Sequence, residues 1–352
     1  MKQNYKPMFF FIDTLKNYTF PDETIFIFDT HTEKLFSQYI SSRYIVTIPA
    51  GEEHKTISSA ILILEYATKN NLTRNVTFCA IGGGLVCDIT AFCASIYKRG
   101  ANLILVPTTI LSMVDAAIGG KTGCNFLEVK NGIGTFYTPK AIIFCFTLLE
   151  TLPHIEFKNG IAEIIKIGLL KQKKIIDILE KTEPQQFNIV TKHLIDIIKL
   201  AIHAKLKIVS KDFTEKNIRA LLNFGHTFAH ALESISHFAI SHGEAVAWGI
   251  YQELKLGYTF QITERSYLDY VKKIVTSFGF ETSFFHSSAR KIFDNEDDFG
   301  MQLIEQMKHD KKNKDTRIAV VTQQKLMSNT LLLIEYDKLI ELIKKIKGDS
   351  LC

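Results

Sequence analysis

Through the first 150 of its 352 residues the chain alternates short, continuously apolar runs with stretches whose apolar residues recur every three to four positions. TIFIFD (24–29), YIVTIP (44–49), NVTFCAI (75–81), ANLILVP (101–107) and AIIFCF (141–146) are β-branched, aromatic and apolar on both faces, which predicts strands buried on both sides. Between them, ISSAILILEYATKN and LVCDITAFCASIY read as helices. Alternation of this kind predicts a parallel sheet covered by helices on both faces. Past TLP (151–153) the period becomes helical: NGIAEIIKIGLL, HLIDIIKLAIHAKLKIVS, a histidine-rich segment and YLDYVKKIVTSFGF, with one late hairpin formed by TRIAVVT and NTLLLIEY. No repeat or low-complexity linker intervenes. The prediction is two tightly joined domains, α/β over 1–152 and mainly helical over 153–352, with a ligand in the cleft between them.

Composition narrows the class. At 46% hydrophobic and 22% charged the chain reads as globular and soluble. A formal charge of +5 without any sustained basic stripe argues against nucleic acid and for an anionic small molecule. The run AIIFCFTLL falls short of the roughly 18 to 20 residues a membrane span needs, and the early MFFFI is too short for a signal-peptide core. Six cysteines (79, 87, 93, 124, 145 and 352) show no CxxC spacing and read as reduced packing residues of a cytoplasmic protein.

Two glycine-rich stretches carry candidate chemistry. AIGGGLVCD (80–88) follows a strand and opens a helix, where glycine lets a backbone approach a phosphate and the helix N-terminus offers free N–H groups. It is GGGxxxD rather than GxGxxG, and a tight strand–helix turn with Asp88 stabilising the first helical turn is the alternative. DAAIGGKTG (115–123) lacks the first glycine of a nucleotide-triphosphate loop, since Asp115 stands there. It leaves Lys121, Lys130 and Asn131 close together, either as solvated surface groups or as ligands of an acid.

The stretch 222–246, LNFGHTFAHALESISHFAISHGEAV, holds four of the eleven histidines. His226, His230 and Glu233 share a helix face, and His242 could fold back on them, which suits zinc or a similar divalent ion. No glutamate stands between the histidines as in HExxH, so a zinc protease fits poorly. In GIAEIIKIG (160–168), Glu163 and Lys166 share a face among isoleucines, and a buried charge without a partner costs several kcal/mol. A metal for Glu163 and an anion for Lys166 would remove that cost. Arg219 and Asn223 precede His226 by seven and three residues, which puts them on its helix face.

Taken with PAGEEHKT, GGGLVCD, YKRGANLILVPTTILSMVDAAIGGKTGCN, KNGIGTFYTPK, TLPHIEFKNGIAEIIKIG, RALLNFGHTFAHALE, HGEAVAWG and DKKN, these motifs resemble the 3-dehydroquinate synthases, sugar-phosphate cyclases of the shikimate pathway, over roughly residues 20 to 345. The resemblance implies a Rossmann-like N-terminal domain, a helical C-terminal domain, NAD, and a divalent metal, zinc or cobalt. It implies Glu163, His226 and His242 as metal ligands and His230 as a substrate contact, and leaves His237 without a role. NAD would lie over Gly83, Gly84 and Asp88, with Asp29, Glu52 and Lys55 near its adenosine end and Thr108 and Thr109 close by. Asp115, Lys121, Lys130, Asn131, Lys166, Arg219, Asn223 and Lys311 would surround the substrate, Lys121 and Lys130 also meeting the cofactor. Arg99 resembles an arginine lent across a homodimer interface to the substrate phosphate. The implied reaction converts 3-deoxy-D-arabino-heptulosonate 7-phosphate to 3-dehydroquinate and phosphate by transient oxidation at C5, elimination, reduction, ring opening and aldol closure. Two positions depart from the pattern, Cys87 and Ala229 standing where glycine is usual. The rival readings are a sister sugar-phosphate cyclase, a metal-dependent polyol dehydrogenase, and a non-catalytic binding protein.

Overall fold

A computed structural model describes residues 5–127, 129–237, 239–308 and 317–346. Contacts group Met1–Phe157 with Ile189–Glu215, and Lys158–Asn188 with Lys216–Cys352, so residues 189–215, beyond position 152, pack with the first unit.

In the first unit the strands are β1 (Met8–Ile12), β2 (Thr24–Asp29), β3 (Ile45–Ile48), β4 (Thr77–Gly82), β5 (Asn102–Pro107), β6 (Lys121–Phe126), β7 (Val129–Phe136) and β8 (Ala141–Cys145). Six of them form one sheet in the order β1-β8-β5-β4-β2-β3, with every pair parallel. The five expected strands are all present, and β4 and β8 are buried at every position, as their unbroken apolar runs require. MFFFI forms the edge strand β1. The helices are α1 (Thr32–Phe36), α2 (Ile57–Lys69) and α3 (Gly84–Ile96), joined by α6 (Lys192–Val209) from the later segment. On the sheet's core face Phe26, Phe28, Cys79, Ile81, Val106 and Ile143 pack together.

Lys121, expected on a glycine-rich loop, begins a strand instead, and Lys130 and Asn131 lie on the strand paired with it. They sit on the antiparallel hairpin β6–β7, where a side chain at Gly134 would collide with the Thr122 carbonyl. The five described cysteines are buried and free, as their spacing predicts.

The second unit is helical: α4 (His154–Lys171), α5 (Lys173–Lys181), α7 (His226–Ile235), α8 (His242–Thr259), α9 (Arg265–Ser277), α10 (Glu296–Lys308) and α11 (Tyr336–Ile346). The expected late hairpin is β9 (Arg317–Gln323) paired antiparallel with β10 (Asn329–Glu335). Helix α8 is buried almost all round, with Trp248 fully enclosed, and forms the axis of this unit. Among the described residues no helix is long and apolar enough to cross a membrane.

Candidate functional site

The three glycines at the start of α3 differ in what they do. In the first unit, a Cβ on Gly82 would lie 2.5 Å from Val86 Cγ2, so that glycine serves the turn itself. A Cβ on Gly83 or Gly84 would meet only ordinary contacts, at 3.4 Å from Thr109 Cγ2 and 3.5 Å from Ala116 Cβ. Neither has a positive φ, so the chain's own packing does not demand glycine at either position. The bare backbone there leaves the first amide groups of α3 open to a ligand, which fits a pyrophosphate. Cys87 turns inward, 1% exposed, with its thiol toward the Gly82 carbonyl at 3.7 Å.

Asp88 does not cap the helix. Its Oδ2 accepts a bond from Lys55 Nζ at 2.6 Å, and the same ammonium donates to Asn131 Oδ1 at 2.8 Å, tying α3 to the β6–β7 hairpin. Burial alone would lower the Lys55 pKa, but Asp88 and then Glu52 outweigh it and hold the ammonium above its ordinary value. Burial pushes the Asp88 carboxyl up, against the pull of Lys55. The 2.6 Å contact is that of a charged pair, because a neutral acid and amine would gain far less from it.

Asp29 accepts the backbone N–H groups of His31 and Thr32, both at 2.8 Å, and Glu52 Oε1 accepts from Asn125. Thr108 is buried and Thr109 shares bonds with Ser112 at the start of a π turn, Ser112–Ala116, that carries Asp115. Asp115 faces Lys205, a buried lysine of α6 whose Nζ also donates to the Asp115 carbonyl at 2.6 Å. Lys205 went unnoticed in the sequence, where it sits inside an apolar helix pattern like any surface lysine. Lys121, half exposed, is ion-paired with Glu215. Arg99 is exposed in a bend where Lys98, Arg99 and Gly100 all have positive φ (46°, 66° and 117°).

In the second unit three helices converge. Glu163 on α4, His226 at the start of α7 and His242 at the start of α8 each offer a ligand atom, all within 4.8 Å of one another. Glu163 is fully buried and neither of its oxygens accepts a hydrogen bond of ordinary geometry. Lys166 Nζ stands 2.5 Å from Oε2 as an ion pair, so the two expected buried charges meet each other. His226 Nε2 and His242 Nε2 face Glu163 Oε1 at 3.5 and 3.6 Å. The His226 Nδ1 contacts the Phe224 carbonyl at 3.2 Å, and a carbonyl can only accept, so that nitrogen carries the proton and Nε2 keeps its lone pair. Two imidazole lone pairs facing an under-bonded buried carboxylate fit a divalent ion.

Local sequence explains the convergence. Gly225 (φ 81°) breaks the chain before α7, and the buried Glu253 carboxylate accepts the N–H groups of Gly225 (2.8 Å) and Thr227 (3.2 Å), capping that helix. A Cβ on Gly249 would strike the Gly225 carbonyl, so glycine there lets α7 and α8 touch. Likewise a Cβ on Gly243 would strike the backbone of Asn159, whose side chain accepts the Gly243 N–H at 3.1 Å. Glu244 then reaches Lys158 on α4 at 2.7 Å. The His-Gly-Glu order is thus a clasp that holds α8 against α4, with His242 at the join.

His230 lies edge-on to His226, ring centroids 5.3 Å apart. Arg219 and Asn223 are not on the helix of His226. They occupy a 3₁₀ turn, Ile218–Asn223, which Gly225 separates from α7; Arg219 is buried there. Ala229 is fully buried in α7, and His237 takes a positive φ (48°) as that helix ends. Lys311 lies outside the described residues.

A profile described as 3-dehydroquinate synthase N-terminal matches residues 45–159, and one described as 3-dehydroquinate synthase C-terminal matches residues 160–313. A 3-dehydroquinate synthase of Saccharolobus solfataricus is 43% identical over 244 residues, 69% of each chain. Among solved structures, 2-epi-5-epi-valiolone synthase from Streptomyces hygroscopicus subsp. jinggangensis, with NAD+ and Zn2+ bound, has a TM-score of 0.85 at 20% identity and 98% coverage of both chains. A 2-deoxy-scyllo-inosose synthase complexed with carbaglucose-6-phosphate, NAD+ and Co2+ has a TM-score of 0.81 at 24% identity and 96% coverage of both. At these identities the likeness is one of fold.

Proposed function

The chain belongs to the 3-dehydroquinate synthase family, and we propose that it converts 3-deoxy-D-arabino-heptulosonate 7-phosphate to 3-dehydroquinate and phosphate in the shikimate pathway, using NAD and one divalent ion, zinc or cobalt. The observation that carries the reading is the convergence of Glu163, His226 and His242 in a chain with this ancestry. When bound, NAD would take up and return a hydride at C5 while the ion polarised the oxygen there, which makes the net reaction a redox-neutral lyase step.

The residues' work is binding, orientation and charge. Gly83 and Gly84 leave the α3 amides for the cofactor pyrophosphate, Asp88 and Lys55 fix the turn beside it, and Asp29, Glu52, Thr108 and Thr109 border the same end of the sheet. Glu163, His226 and His242 hold the ion. Lys166, Arg219, Lys121, Lys130, Asn131, Asn223, His230 and Asp115 orient the carboxylate, hydroxyls and phosphate, and Lys311 joins them from outside the described residues. Orientation of this kind lowers the entropic cost of successive steps. Arg99, exposed on a bend with positive φ, suits a group lent to the phosphate site of a second copy in a homodimer.

The test supplies the heptulosonate phosphate with a trace of NAD and follows phosphate release together with the NADH absorbance band. The expected result is many phosphates per NAD with NADH only transient. NADH accumulating without phosphate would identify a polyol dehydrogenase, and turnover of another sugar phosphate alone would identify a sister cyclase.

A further inference from the structure

We infer that Glu233 is a positioning residue for the metal site, holding the His242 ring so that Nε2 rather than Nδ1 is offered to the ion. The inference rests on the divalent-ion reading of Glu163, His226 and His242. Glu233 is 3% exposed and lies on α7, two turns beyond His226. Its Oε1 is 3.0 Å from His242 Nδ1. An ionised carboxylate can only accept, so Nδ1 carries the ring proton and the Nε2 lone pair points toward Glu163 Oε1, 3.6 Å away. The two candidate histidine ligands are therefore supported differently. His226 leans on a neutral backbone carbonyl, whereas His242 leans on a buried charge, which makes its imidazole the more basic ligand. His242 is also the more exposed of the two, with 23% of its side chain open against 11%, so it is the ring with more freedom to turn and more need of a support.

Cobalt titration of the metal-free full-length protein, read by visible absorption, tests this without any turnover. Wild type should take up one Co2+. Glu233→Gln keeps an acceptor but loses the charge and should bind about 10-fold more weakly; Glu233→Ala loses both and should bind about 100-fold more weakly with an altered band. Glu233→Asp should recover most of the affinity, and the metal-free melting points of the Gln and Asp variants should stay close to wild type. Wild-type affinity and spectrum in both Glu233→Gln and Glu233→Ala would overturn the inference. So would affinity losses that merely follow the loss of stability and that Glu233→Asp does not repair. A wild type that takes up no Co2+ would remove the metal reading and this inference together. One that binds Co2+ but releases no phosphate from the sugar would remove only the activity.

Discussion

Replacing Lys166 by methionine isolates the charge problem at the bottom of the second unit. The Glu163 and Lys166 side chains are each 1% exposed and stand 2.5 Å apart, so neither can turn to water if its partner is lost. Lys166→Met keeps the volume of the alkyl stem and strands the carboxylate. Removing one member of a buried pair costs about 3–5 kcal/mol. In a unit of this size that lowers the melting point by roughly 10 °C in metal-free protein. A divalent ion at Glu163, His226 and His242 would supply the missing positive charge, and ligand at 1,000 times its Kd stabilises by about 4 kcal/mol, the same scale as the loss. The expected outcome is a large gap between wild type and variant in chelator and a much smaller one in saturating Zn2+, measured by differential scanning calorimetry. Two results would refute the reasoning. A variant as stable as wild type in chelator would show that the carboxylate needs no counter-charge. A gap that zinc leaves untouched would show that the ion does not bind at Glu163.

Two further predictions concern the glycine turn and the clasp. Gly83→Ala should fold with a melting point close to wild type, since its Cβ meets nothing closer than 3.4 Å, yet lose NAD affinity in calorimetric titration; unchanged NAD binding would return the motif to a simple turn. At Glu244, burial pushes the carboxyl up, but His286, Lys158 and the Glu281 amide outweigh it and hold the pKa at about 2 against an ordinary 4.5. A depressed carboxyl contributes stability above its unfolded pKa and loses it as pH falls toward the folded one, so wild type should lose roughly 2 kcal/mol more than Glu244→Gln between pH 5 and pH 3; parallel denaturation profiles over that interval would contradict the network.

The strands of the sheet are legible because burial on both faces leaves β8 without a polar side chain and β4 with Thr77 alone, so each reads as an apolar run. The β6–β7 hairpin is hidden by the opposite effect. Gly123, Gly132 and Gly134 allow its two backbones to close, and glycine carries no strand preference to read. Spacing correctly joins His226 to Glu233 but misplaces Arg219 and Asn223, because helical periodicity assumes an unbroken helix and cannot anticipate the left-handed Gly225. Lys205 and Glu253 escape for a third reason: a single charge within a helical segment looks like one more solvated residue until its partner, distant in sequence, is known.

The glycines at 225, 243 and 249 give the three-helix join a property beyond its chemistry. Where side chains separate helices, an interface can slide by a rotamer change; where backbone rests on backbone there is no side chain to repack. The frame carrying Glu163, His226 and His242 is therefore closer to a casting than to a hinge. A redesign aimed at a larger or smaller ion would gain little from loosening the helices, and would have to change the length or identity of the ligand side chains themselves.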